Sequence, residues 1–276
     1  MVIQSVFFPA TVAVILFLLP RLPWSVDAGR RIDVWTAAPA LVTAILLSLY
    51  AVEGSEIWNL TQKWYSLWIS AIILGVGALV ARVNFNKTKK PARTTVSEKS
   101  FILACTAAIA IFVFKMPNNG EVLSRLFFAA IAGIATSLLI KPSTRAPVVT
   151  PLSFSFVLCI LSILLMISGS LKMALIAASI SATSAACAIL ASVGRGFSGG
   201  ASFSMAGITI GIALALYGMS YHKNSDVPTV DWWIVALAPL LLSVANCFQS
   251  RRAMILGFVA ILLVCIPLVV ASIQKS

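Results

Sequence analysis

The sequence predicts an all-α polytopic membrane bundle, because 60% of its 276 residues are apolar, only 10% are charged, and the apolar residues gather into runs near 20 long. Soluble chains carry about 25% charged residues, and the mean hydropathy of +1.02 places this chain in lipid. Hydrocarbon offers no partner to a bare peptide group, so runs of this length must satisfy their own backbone as helices. A closed barrel would alternate apolar and polar residues, and these runs do not.

Ten spans are expected, roughly at 2–19, 34–52, 65–81, 99–115, 122–140, 150–168, 171–191, 201–220, 231–248 and 253–272. The first twenty residues contain Pro9, no Lys or Arg and no small-x-small cleavage site, so they read as a span rather than a removable leader. The segment 99–115 is the shortest apolar run and needs Lys99 and Lys115 to snorkel at its ends; without it the count is nine. Loops are short throughout, which makes residues 1–276 a single transmembrane domain.

The net charge of +12 comes from basic residues confined almost entirely to the loops, an orientation signal rather than a nucleic-acid surface. Ten spans with the N-terminus outside put 14 Lys and Arg inside and 6 outside, and nine spans give the same split. The rule orients the first three spans in either case. Ten is preferred because Lys141, Arg145, Arg251 and Arg252 then face the cytoplasm. This inside-positive bias suits a bacterial inner (plasma) membrane. The loop 82–99 holds six basic residues around Pro91 and should attract anionic lipids.

Trp24, Trp35, Trp58, Trp64, Trp68, Trp232 and Trp233 sit at span ends, where indoles anchor to the interface. The cysteines Cys105, Cys159, Cys187, Cys247 and Cys265 lie within apolar runs, show no CxxC spacing, and read as small buried hydrophobes.

Few residues could carry chemistry. All eight carboxylates fall in loops or at span ends, which argues against a proton- or sodium-coupled pump built on intramembrane acids. A lone histidine, His222, builds no zinc site, and no phosphate-binding or dinucleotide glycine motif appears in its required context. No cofactor, metal or catalytic residue is expected.

Gly196-Phe197-Ser198-Gly199-Gly200 resembles both the GxSG of rhomboid-type intramembrane proteases and the GxSxG of α/β-hydrolases. The second requires a strand-turn-helix with a following acid and histidine. The first would make Ser198 a nucleophile, but His222 lies 24 residues on, across a span. A helix of about 20 residues separates its ends by roughly 30 Å, and base catalysis needs contact at about 3 Å. Both resemblances end there.

The seventh and eighth spans are rich in small residues, with Gly207 and Gly211 forming a GxxxG, and should pack in the protein core. Their hydroxyls either bond to neighbouring carbonyls or line a polar cavity formed by Ser181, Thr183, Ser184 and Thr209, beside helices bent at Pro39, Pro239 and Pro267. Arg125, one turn into the fifth span, and Lys172, at the start of the seventh, either snorkel or, for Arg125 above all, meet an anion on a substrate path. The size and ten-span organisation are similar to small permeases of the drug/metabolite type in architecture alone. The N-terminus-outside orientation departs from that family. The functional expectation is a small-solute permease without an obvious coupling ion; the alternative is a non-catalytic subunit or assembly scaffold bound to other membrane subunits.

Overall fold

The computed structural model describes residues 6–18, 32–33, 37–54, 66–87, 92–114, 122–193, 197–198, 200–221, 227–248 and 250–275. Helices α1 (Phe8–Leu18), α2 (Ala37–Glu53), α3 (Ser66–Lys87), α4 (Ala92–Val113), α5 (Val122–Arg145), α6 (Val149–Ile167), α7 (Leu171–Val193), α8 (Gly200–Tyr221), α9 (Thr229–Leu237), α10 (Leu241–Cys247) and α11 (Arg251–Lys275) account for nearly all of them. A two-residue parallel pairing joins β1 (Ile32–Asp33) to β2 (Phe197–Ser198). Trp24, Trp35, Trp58, Trp64 and His222 lie outside the described residues.

Helical structure occupies each of the ten expected segments, but length and composition qualify six of them, running from α5 to α11, to cross a membrane. The stretches 38–53 and 66–81 are apolar but shorter. The chain is thus a helical membrane bundle with six clear spans. The stretch expected as the loop 82–99 is mostly helix, since α3 continues through Lys87 and α4 starts at Ala92. Its polar residues tolerate the helical backbone, and Pro91 lies outside the described residues.

The α6–α7 hairpin shows how hydroxyls hold this bundle. Gly169, with φ of 85°, turns the chain while the Ser170 N–H bonds back to the Leu165 carbonyl at 2.9 Å and the Gly169 N–H to that of Met166 at 3.1 Å. The Ser162 hydroxyl then donates to the Ala174 carbonyl at 2.7 Å, and the Ser181 hydroxyl to the Ser155 carbonyl at 2.7 Å. Both pairs are centred on Ser168, and seven residues, two helical turns, separate the bonds on each helix. Ser70 of α3 reaches the Ala110 carbonyl of α4 at 2.8 Å, and Ser243 of α10 reaches Leu138 of α5 at 2.9 Å.

The ninth segment is broken. Pro239 sits in a 3-10 turn, Ala238–Leu240, between α9 and α10, as expected where a proline ring displaces the preceding helical bond. Pro142 and Pro267, in contrast, stay within continuous α5 and α11. The broken segment runs parallel to α5: Phe128 stacks on Trp233, Leu138 accepts from Ser243, and Arg145 donates to the Asn246 side chain at 3.1 Å. All three contacts keep nearly one offset in sequence.

At the centre stands α8, of whose most apolar stretch 89% is buried, against 33% for α11. It packs against α2, α3, α4, α5, α6 and α9. Gly218 lies beneath the fully buried Trp232 indole, and Gly207 beneath the Phe154 ring. Trp232 is therefore a core residue rather than an interface anchor, because glycine on α8 leaves space for its ring. Cys187 and Cys265 are buried as expected. Cys159 and Cys247 are exposed, since a thiol on the apolar outer face of a membrane bundle loses nothing to lipid.

Candidate functional site

The expected cavity between α7 and α8 is divided by the packing. Helices α2 and α6 each pack against both, and α7 and α8 share no extensive contact among the described residues. The GxxxG glycines face elsewhere: Gly207 receives Phe154 of α6, and Gly211 neighbours Leu161 of α6 and the Ala236 carbonyl of α9.

On α7 the three expected site hydroxyls are all engaged. Ser181 belongs to the hairpin pairing described above, Thr183 donates to the Ser179 carbonyl at 2.9 Å, and Ser184 to the Ile180 carbonyl at 2.9 Å. Bonds one turn back are the usual way for a hydroxyl to satisfy itself in an apolar helix.

Thr209 differs. It is 1% exposed, near the middle of α8, and its hydroxyl has no hydrogen-bond partner among the described residues. Four residues not expected at the site share this condition: Ser204 on α8, Thr136 near the middle of α5, Thr150 on α6 and Ser179 on α7, all buried with hydroxyls unpartnered among the described residues. Two of the five lie on the central helix α8, and Thr136 lies on α5, which packs along it. An unsatisfied buried hydroxyl costs about 1–3 kcal/mol, so this is where a polar ligand would recover the most. Among the described residues no group of His, Cys, Asp and Glu could hold a metal ion.

Arg125 is partly buried in the first turn of α5, its Nε unpartnered among the described residues. Three residues further along α5, Phe128 stacks on Trp233 with ring centroids 5.2 Å apart, so Arg125 stands at the α9 end of the α5 contact, well along the helix from Thr136. Lys172 does not simply snorkel. It forms an ion pair with Glu53 at the end of α2, the carboxylate side chain only 6% exposed and that of the lysine 62%. The sequence placed both residues at span ends without indicating that the two ends meet.

These features define a helical integral membrane protein with a buried central helix. Comparison with known protein families, curated proteins and solved structures returns no match.

Proposed function

We propose that this protein is a ten-span permease for a small polar solute, non-catalytic and without a carboxylate-coupled ion, in a plasma membrane of the bacterial inner-membrane kind. The observation that carries the reading is that α8 and the helix packed along it hold three unpartnered buried hydroxyls, Thr209 and Ser204 on α8 with Thr136 on α5. Such groups are expensive in an apolar interior unless a ligand or water meets them. The broken ninth segment packs beside α8, and interrupted helices of this kind accompany substrate sites in many transporters. Arg125 then stands at one mouth of the path.

The Glu53–Lys172 pair favours ten spans, because the end of α2 and the start of α7 meet on one side only if all four helices between them cross. With the N-terminus outside, the end that gathers Lys141, Arg145, Arg251 and Arg252 then faces the cytoplasm. The basic residues between 82 and 99 then face the same side and attract anionic lipid headgroups.

Native mass spectrometry of the protein, taken from its host membrane into lipid nanodiscs, tests the proposal. A small polar molecule retained by the natural chain and lost on Thr209→Val supports the permease. A stoichiometric protein partner with no small molecule would overturn it in favour of a scaffold subunit.

A further inference from the structure

We infer that the groove between α10 and α11 binds one phospholipid with an acidic headgroup, its chain lying against Leu241, Val244, Leu256 and Ala260 and its phosphate held by Arg252. The groove has a volume of about 470 Å³ and opens on the outer face of the bundle, walled on the α10 side also by Phe248 and closed at one end by Ser250 and Arg252. The helices approach closely at its floor, where Gly257 of α11 leaves no room for a Cβ beside Ala245.

Position and charge both select the occupant. From Arg252 to Ala260 the helix rises about 12 Å, most of the roughly 15 Å depth of one hydrocarbon leaflet. A groove of that depth on an apolar face suits an acyl chain. Its polar end carries an unusual charge balance. Arg145 is fixed to Asn246 of α10, Lys141 lies one turn earlier on α5, and Arg251 precedes Arg252 in the chain. The chain has no carboxylate between Glu121 and Asp226, nor any after Asp231, so nothing in the segments forming this end offsets the four cations. Ser250 caps α11 by accepting from the Ala253 N–H at 3.0 Å, which sets Arg252 in the first turn, at the positive end of the helix. A guanidinium binds phosphate through two parallel hydrogen bonds, which a choline headgroup's own cation would oppose.

This site is separate from the α5–α8 hydroxyls, so either assignment can fail alone. The test titrates the detergent-purified full chain with phosphatidylglycerol and phosphatidylcholine of identical chains and counts bound lipids by native mass spectrometry. The natural chain should prefer phosphatidylglycerol. Arg251→Gln with Arg252→Gln should reduce that preference roughly fivefold per arginine and leave phosphatidylcholine binding unchanged. Ala260→Phe, which fills the groove, should lower retention of both lipids; Ala253→Leu serves the same end should that variant not fold. An unaltered preference in the arginine variant would overturn the assignment. So would a dimer that disappears on filling the groove, because a second copy of the chain would then be the occupant.

Discussion

Replacing Thr209 by valine should stabilise the protein while abolishing solute retention, and replacing Ser181 by alanine should do the opposite. The two hydroxyls sit in similarly apolar, buried surroundings but differ in their bonds: Ser181 donates across to Ser155 on α6, and Thr209 donates to nothing among the described residues. Valine matches threonine in shape and in helical preference, so the exchange removes little but the stranded hydroxyl. Relieving an unsatisfied buried hydroxyl is worth about 1–3 kcal/mol, with the lower end expected inside a bilayer. Losing an interhelical hydrogen bond in a membrane bundle costs about 0.6 kcal/mol on average and up to about 1.7. Denaturant or thermal unfolding in nanodiscs therefore reads two shifts of opposite sign. If Thr209→Val destabilises by more than about 1 kcal/mol, the hydroxyl has a structural partner and the reasoning that makes it a ligand contact fails.

Other substitutions probe the packing and the topology. Gly218→Ala places a methyl group against the rigid, buried Trp232 indole; overpacking of about 1–3 kcal/mol should exceed the helical gain of about 1 kcal/mol and shift indole fluorescence, with Trp232→Leu restoring part of the loss. Lys172→Ala should cost about 1–2 kcal/mol, discounted from a fully buried pair because the lysine is largely exposed, and Lys172→Ala with Glu53→Gln should unfold later than Lys172→Ala alone. In a chain stripped of its native cysteines, Asn118→Cys and Asn224→Cys should react with an impermeant thiol reagent applied outside, and Asn86→Cys only after permeabilisation. Labelling of all three only after permeabilisation would indicate nine spans.

What the sequence determined by itself is the class of fold and where its helices lie. Apolar runs in a chain with 10% charged residues leave the backbone no other way to satisfy itself, and helical structure occurs at all ten expected segments. It also marked α8 as a core helix, because a glycine-rich apolar segment packs closely against its neighbours. Which neighbours those are was not legible. Small residues permit close approach to any helix, and the tertiary structure brought α6 onto Gly207 and α9 onto Gly218. The same holds for the hydroxyls. Ser181 and Thr209 look alike along the chain, and only the facing helix decides that one has a carbonyl at 2.7 Å and the other has no partner among the described residues. The Glu53–Lys172 pair and the arginines gathered beside the α10–α11 groove likewise join residues far apart in sequence. Periodicity and composition fix local backbone structure, whereas partners across a bundle depend on how the helices pack against one another.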